Sequence, residues 1–466
     1  MPDDLDKVFK AYDVRGVYPS PLNEEVARRI GAGAGQFLLS HRPGAHGAAG
    51  AAGDRPVPGQ IVVGRDMRLS SPALLAALVD GLTTAGADCI DIGMIDTPQI
   101  YFAINYLNAC GGVQTTASHN PAQYNGFKIS GERARPVGEE TGLREIKTLA
   151  AQTPAAATAK GAVERQSVAA AYKTHVLQFL KLNKPLKVAV DASNGMAGQF
   201  IPNIFQGVKN LEIIPLNMAI TGAFKHEPNP LVDANLQELQ EAVISHGADL
   251  GVCFDGDADR CIFVDEQARI VRCDIVTALL ARHFLKNNPG DAIVYDLRSS
   301  RVVKEEIENA GGVPRRQRVG HSFMKKTLAE SRGVFGGELS GHFYFRDNFN
   351  CDSGAIAFSC LLSVLSGYDL PMSQVLRPLL RWHDSGEINY EVADKEAAIA
   401  RLATRYKDAA IDYLDGITVE YDTWWFNVRQ SNTEPLLRLN LEANTADLLK
   451  RKVEEVGGQL GTPVAH

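Results

Sequence analysis

Three α/β domains followed by a smaller α+β domain is the fold class that this sequence predicts, and three observations predict it. Short β-branched runs alternate with helical patterns in three separate stretches, as they do in parallel α/β layers. From roughly Leu376 onward, apolar residues instead alternate with polar ones, the pattern of a half-exposed antiparallel sheet. The length of 466 residues suits about three or four domains and can bury a large core.

The first stretch opens with the strand-like run Ile61–Gly64, continues in a helical pattern from Pro72 to Ala85, and closes on Cys89–Gly93. The second runs from Leu186–Asp191 through a helix over Met196–Phe205 to Leu211–Ile214. The third begins at Ala292–Asp296, with a helix over Arg301–Ala310 and a strand around Val313. The last part reads as Ile388–Val392, a helix, Trp424–Arg429 and Leu436–Leu441. Two Ala/Gly-rich stretches interrupt the pattern. Gly44–Gly53 reads as a flexible surface insertion, and Ala150–Ala162 as a linker ahead of a helical Ser167–Leu180. The second break sets the first domain boundary, and the domains are expected at 1–163, 164–268, 269–375 and 376–466. No tandem short repeat is present, although the three α/β units could be distant copies of one another.

Composition excludes several classes of function. Hydrophobic residues at 45% and charged residues at 22% describe an ordinary globular protein. A net charge of -7 argues against general nucleic-acid binding and against an anionic membrane surface. The one basic knot, Arg315-Arg316-Gln317-Arg318, reads as a solvated loop. No segment reaches the roughly 18–20 apolar residues of a membrane span, the uncharged run around Ala355–Tyr368 coming closest. The start, Met1-Pro2-Asp3-Asp4, has neither the basic region nor the apolar stretch of a secretory signal. Seven cysteines, an odd number without a Cys-x-x-Cys pair, form neither a disulfide framework nor a zinc site. They are expected to pack as small hydrophobes in a reducing cytoplasm.

In α/β sheets ligands collect beyond the carboxyl ends of the strands, so the polar loops are where chemistry is expected. Ser118 lies in Thr115-Thr116-Ala117-Ser118-His119-Asn120-Pro121, with Tyr124-Asn125-Gly126-Phe127-Lys128 close behind. Asn-Pro and Asn-Gly hold a chain out of helix and sheet and would leave a serine hydroxyl open to a substrate. An ordinary loop is the plain alternative. Asp255-Gly256-Asp257-Ala258-Asp259-Arg260 sets three carboxylates at every second position, an arrangement that can converge on one hard cation such as Mg²⁺. A calcium EF-hand fits part of the pattern, with Ile262 and Glu266 in register. It fails at Arg260, where the tight turn requires Gly, and at the strand-like flanks Gly251–Phe254 and Cys261–Val264. An acidic turn without a cation is the other alternative.

Gly336-Gly337-Glu338-Leu339-Ser340-Gly341-His342 combines glycines that let backbone approach a ligand with a carboxylate and hydroxyl suited to sugar hydroxyls. His342 could move a proton or bind phosphate. A tight turn explains the loop equally well, and its serine stands one place off that of a hydrolase elbow. Arg429-Gln430-Ser431-Asn432-Thr433-Glu434-Pro435 offers a guanidinium, two hydroxyls and an amide, more than a hairpin needs and enough to cradle a phosphate dianion. Tyr12, Arg15, Arg298 and His321 are lesser candidates, each unremarkable alone.

Together, and in this order, the four loops resemble those of the α-D-phosphohexomutase superfamily, and within it the phosphomannomutase/phosphoglucomutase group, over essentially the whole chain. The resemblance implies a heart-shaped enzyme of four domains around a central cleft, three α/β with mixed sheets and one smaller α+β. It implies a phosphoserine at Ser118 and Mg²⁺ held by Asp255, Asp257, Asp259 and a phosphoryl oxygen on Ser118. It implies interconversion of hexose 1-phosphate and hexose 6-phosphate through a hexose 1,6-bisphosphate, which also serves as activator. By the same resemblance Arg15, Lys128, Arg260 and Arg298 offset charge on the transferring group. Lys128 and His342 transfer protons, with His119 and His321 in support. Tyr12, Arg260 and Arg298 join the substrate contacts. Glu338 and Ser340, with His342, grip the sugar at its 3- and 4-hydroxyls, while Arg429, Ser431, Asn432 and Thr433 hold the phosphate that is not reacting.

A grip on hydroxyls 3 and 4 ignores carbon 2, where glucose and mannose differ, so both sugars are expected substrates. Leu339 stands where glucosamine mutases often carry Gln. Gln430 replaces a commonly small residue and Arg298 a common lysine, and neither change removes a charge. A monomer is expected, with phosphosugars as its only partners and neither nucleic acid nor membrane among them. Phosphoglucosamine mutase is one rival. A metal-dependent sugar phosphatase of the haloacid type is a second, but its motif expects Asp-x-Asp followed by Gly-Thr or similar, not Asp257-Ala258-Asp259-Arg260. A non-catalytic sugar-phosphate sensor is opposed by the intact Ser118 and the complete aspartate triad.

Overall fold

β-branched runs need burial on both faces, and in the computed structural model they form the inner strands of the sheets. The structure describes residues 4–42, 59–152, 159–431 and 436–464. These pack as two units, Met1–Val271 with Ser340–Ser373, and Arg272–Leu339 with Gln374–His466. The sequence-expected insertion at Gly44–Gly53 and most of the Ala150–Ala162 linker lie outside the described residues.

In the first unit, Gln60–Arg65 is flanked by Asp88–Met94 and Gly111–Thr115, all parallel. Tyr124–Gly131 then pairs antiparallel with Gly111–Thr115, and Val14–Val17 with Tyr124–Gly131. At the far edge Val163–Arg165 adds a parallel strand that the sequence did not suggest, its three exposed residues lacking an apolar signal. A second sheet of the same unit centres on Leu186–Asp191, parallel to Leu211–Leu216 and Leu250–Phe254. It continues antiparallel through Cys261–Asp265 and Ile270–Val271. Phe343–Phe345 and Cys351–Asp352 make a short antiparallel pair. The uncharged run near Ala355 is the buried helix Gly354–Leu365. Among the described residues, no helix is long and apolar enough to cross a membrane.

One close approach fixes the first layer. The helices Glu24–Ser40 and Ser71–Thr84 touch backbone to backbone where both carry glycine. A Cβ on Gly81 would lie 2.0 Å from the Arg28 carbonyl oxygen, and one on Gly31 would lie 2.1 Å from that of Leu78. Backbone cannot swing aside as a side chain can. Gly81→Ala is therefore expected to cost about 1–3 kcal/mol through overpacking, against roughly 1 kcal/mol that alanine gains over glycine in a helix. Thermal unfolding should show a lower midpoint; an unchanged or higher one would mean that the helices separate freely.

In the second unit, Val313–Gln317, Ala292–Asp296 and Phe335–Gly337 run parallel. The basic knot expected as a loop is this edge strand and its end. Arg316 pairs with Asp412 at 2.6 Å and with Glu420, and Arg318 lies over the Phe323 ring. The C-terminal sheet is antiparallel, from Ala410–Asp412 through Ile417–Glu420, Trp424–Gln430 and Leu436–Ala443 to His383–Glu391 and Pro463–Val464. Its apolar face, with Trp424, Phe426, Val428, Leu437, Leu439 and Leu441, makes the core of that domain. The opposite face was expected in water but is largely buried. Trp425 donates to Glu442 at 2.7 Å, the Arg301 amide bonds the same carboxylate, and Asn427 bonds Thr418. Polar side chains are tolerated there because they satisfy one another.

Candidate active site

Ser118 follows the buried strand Gly111–Thr115 and adopts a left-handed backbone, φ 51°. The turn chemistry is thus as expected, but the exposure is not: Ser118 is only 2% exposed. The aspartate loop closes over it. Gly256 is the contact point, since a Cβ there would sit 2.4 Å from the Ser118 carbonyl oxygen. Ser118 Oγ donates to Asp255 Oδ2 at 2.7 Å and lies 3.2 Å from His119 Nδ1. Asn125-Gly126 is not a turn but part of the strand Tyr124–Gly131. Gly126 is there because the strand passes Val14 so closely that a Cβ would stand 2.0 Å from its carbonyl oxygen.

The loop is held from below by a residue to which the sequence reading assigned no role. Arg68 is among the largest fully buried side chains. Its Nη1 donates to the carbonyls of Pro121 and Tyr124 at 2.7 and 3.0 Å, and its Nη2 to those of Ser118 and Asn120 at 2.9 and 2.6 Å. Asp66 fixes the other edge of the guanidinium, accepting from Arg68 Nε at 3.1 Å and from Ser71 at 2.5 Å. The available signal was an Asp-x-Arg directly after the apolar run Ile61–Gly64, where strand-end loops gather.

The aspartate loop is a hairpin between Leu250–Phe254 and Cys261–Asp265, so its flanks are strands and the EF-hand is excluded by geometry. Asp255, Asp257 and Asp259 are buried and offer oxygens within 4.8 Å of one another. Burial and the charges of Asp257 and Asp259 push the Asp255 carboxyl well above its usual range. Burial pulls the Lys128 ammonium down, but Asp257 and Asp259 outweigh it and hold it above the ordinary lysine value. Its Nζ lies 2.7 Å from Asp257 Oδ2 and 2.5 Å from Asp259 Oδ2. Thr97 Oγ1, also unforeseen, donates to Asp257 at 2.5 Å. Asp257 Oδ1 and Asp259 Oδ1 are buried with no hydrogen-bond partner among the described residues, which suits a hard divalent cation at the cluster.

Around this core stand the remaining expected residues of the first unit. Arg15 pairs with Asn120 and Asp13, and Tyr12 lies in the bend before Val14–Val17. Arg260 Nε donates to His342 Nε2 at 2.9 Å. Ser340 lies two residues before His342, half-buried. His119 is pushed well below the usual imidazole value by burial and by the charges of Arg260 and Arg15.

The second unit holds the other group. Arg298 pairs with Asp296 at 2.8 Å, and Asp296 also accepts the Leu339 amide at 2.8 Å, next to buried Glu338. Arg429 is buried, bonded through Nη2 to Glu387 at 2.6 Å, and its Nε has no partner among the described residues. Arg438 shares the same carboxylate at 3.0 Å and stands directly opposite Arg429 in the ladder. Two like charges facing across strands are unfavourable without an anion between them. Neither Glu387 nor Arg438 was foreseen. His321 begins the helix His321–Glu330, and Ser431 ends the described part of the phosphate loop. Asn432 and Thr433 lie outside the described residues.

Mixed α/β sheets, a strand-end serine bonded to Asp255 of a buried carboxylate triad and a pair of facing arginines in the second unit suit an enzyme of phosphoryl transfer with a metal-type acidic centre. Four domain families match in succession: phosphoglucomutase/phosphomannomutase α/β/α domains I (residues 6–156), II (170–268) and III (272–381), and the C-terminal domain (387–458). The chain belongs to the phosphoglucomutase/phosphomannomutase family, and is a mutase. It is 39% identical over 460 residues to the phosphohexose mutases of Xanthomonas campestris pv. campestris, covering 97% of this chain and 98% of the relative. It is also 39% identical over 465 residues to a phosphomannomutase of Escherichia coli, with 96% and 98% covered. The crystal structure of a family protein from Burkholderia thailandensis superposes with TM-score 0.87 over all of both chains, at 31% identity.

Proposed function

We propose that this mutase interconverts hexose 1-phosphates and hexose 6-phosphates, of mannose and of glucose, through a phosphoserine at Ser118 and a hexose 1,6-bisphosphate. The contact of Ser118 Oγ with Asp255, 2.7 Å apart at the rim of the carboxylate triad, carries this reading. Mannose as substrate is supported by the phosphomannomutases among the relatives. In the forward step the sugar hydroxyl oxygen attacks phosphorus, the bond to Ser118 Oγ breaks, and the hydroxyl proton leaves while Oγ regains one. Lys128 and His342 are assigned the proton transfers, with His119, 3.2 Å from Ser118 Oγ, in support. His321 is assigned a supporting part. Arg15 and Arg260 flank the serine loop and offset charge. Bound at Asp255, Asp257 and Asp259, Mg²⁺ would add electrostatic stabilisation of the transferring group.

Arg298, Glu338 and Ser340 are assigned to the sugar, and Arg429 with Ser431, Asn432 and Thr433 to the phosphate that is not reacting. Tyr12 is placed with the substrate contacts. The test is a coupled assay with Mg²⁺ and a trace of glucose 1,6-bisphosphate, comparing mannose, glucose and glucosamine 1-phosphates. Similar conversion of the first two is expected, with little release of inorganic phosphate. Conversion of glucosamine 1-phosphate alone would replace this reading by a glucosamine mutase, and phosphate release without isomerisation by a phosphatase.

A further inference from the structure

The polar face of the C-terminal sheet sets one carboxylate between two guanidiniums. Glu387 Oε2 accepts from Arg429 Nη2 at 2.6 Å, and Glu387 Oε1 accepts from Arg438 Nη1 at 3.0 Å. The ladder puts these side chains on one face. Arg429 stands opposite Arg438, Glu387 stands opposite Asn440, and residues two apart on a strand share a face. A bulge precedes Glu387: the register shifts between Asp384 and Glu387, and Gly386 takes φ 65° there. Such a bulge re-aims the side chain that follows it. Ser385 Oγ accepts the Leu441 amide at 3.0 Å and ties the bulge to the next strand. Burial raises the Glu387 carboxyl, but the charges of Arg429, Arg298 and Arg438 outweigh it and hold it below the usual carboxylate range. A carboxyl so lowered is an anion at neutral pH.

One carboxylate for two guanidiniums leaves the trio with a net positive charge. Asp415 is a further carboxylate whose charge reaches Arg429, while Arg298, which reaches it too, is already paired with Asp296. Arg429 Nε is buried and has no partner among the described residues, so this guanidinium keeps a donor for a ligand. An anion arriving there is drawn by Arg429 and Arg438 and pushed back by Glu387. For a mutase such a push has a use. Binding that is tight in every state slows departure, and a bisphosphate must let go of this end before its other end can react. We propose that Glu387 is a counterweight in the phosphate site. It is a positioning residue that holds Arg429 and Arg438, and it cancels enough of their charge for a phosphate dianion to be released and gripped again during turnover. This inference rests on the assignment of Arg429 to the phosphate that is not reacting, and Glu387 belongs to none of the four sequence loops.

Phosphate binding and turnover, measured side by side on the full-length enzyme, test it. Inorganic phosphate is the probe, and its dissociation constant is read from the rise it causes in the unfolding midpoint. Glu387→Gln, which keeps the shape and removes the charge, should bind phosphate about tenfold more tightly, the low end of what a neighbouring charge does to an ionic equilibrium. Arg438→Gln should weaken binding, and the double variant, with the net charge of the parent trio restored, should return close to the parent. Arg429→Gln should lose this binding, which assigns the signal to the site. With mannose 1-phosphate as substrate, Glu387→Gln should lower KM and kcat together, so that kcat/KM changes little. A role in aiming alone would do the reverse to phosphate, since misplaced arginines bind it more weakly. Weaker or unchanged phosphate binding in Glu387→Gln would therefore overturn the proposal, as would tighter binding with undiminished kcat. Should Glu387→Gln fail to fold, the double variant decides, and phosphate bound there as weakly as in Arg438→Gln would end the counterweight. Failure of the mutase reading shows separately, as a parent enzyme that isomerises no sugar phosphate whatever the order of the phosphate constants.

Discussion

Ser118→Ala is expected to abolish hexose phosphate interconversion, lowering kcat on the order of 10⁴-fold or more, as loss of a covalent nucleophile does elsewhere. The fold should survive. The alanine is as left-handed as the serine, and what disappears is one hydrogen bond to Asp255, worth about 1 kcal/mol. The variant should therefore unfold within a few degrees of the parent while turning over no substrate. Incubation with glucose 1,6-bisphosphate should add one phosphoryl group to the peptide carrying Ser118 in the parent and none in the variant, read by mass spectrometry. Unchanged turnover in Ser118→Ala would end the phosphoserine mechanism outright, leaving the family membership untouched.

Arg68→Met should be the most damaging single change to the site's architecture. It removes bonds to four backbone carbonyls of the serine loop and leaves Asp66 charged, buried and stripped of its cationic partner. Breaking such a buried pair costs about 3–5 kcal/mol, which corresponds to a fall of roughly 10 °C in the unfolding midpoint of a domain of this size. Turnover should fall as well, since Ser118 loses the donor beneath its own carbonyl. Arg68→Lys should recover little, because a single ammonium cannot span four carbonyls and a carboxylate as a planar fork does. Thermal unfolding and kcat measured side by side check both statements. A stable, active Arg68→Met would show that the loop holds its shape without the guanidinium.

Legibility of the site depended on how far along the chain its parts lie. The aspartate loop could be read because its three carboxylates fall within five residues, and alternate spacing in a hairpin already puts them on one cation-sized point. Asp255 reaches Ser118 across 137 residues of sequence, and Lys128 reaches Asp259 across 131. The resemblance of the loops brought Ser118 and the aspartates together around one metal, nothing local did, and the pairing of Lys128 with Asp259 was not foreseen. Arg68, Thr97, Glu387 and Arg438 were passed over for the same reason. Each looks like an ordinary polar residue until tertiary packing gives it a partner. Two local signals also misled: Asn125-Gly126 spells a turn yet runs as strand, and the alternating face of Trp424–Gln430 implied water where polar neighbours cover it.

By itself the sequence determined the periodic elements, the three α/β units with their antiparallel C-terminal sheet, and the four loops with their chemical types. Hydrophobic period and turn chemistry act over a few residues and can be read from a few residues. Only the tertiary structure decided that Ser118 is buried beneath Asp255, that Lys128 is clamped by two aspartates, and that Glu387 stands between Arg429 and Arg438. Such facts follow from buried charges having to find partners, and in a folded chain the partner is chosen by proximity in space, which no local spacing encodes.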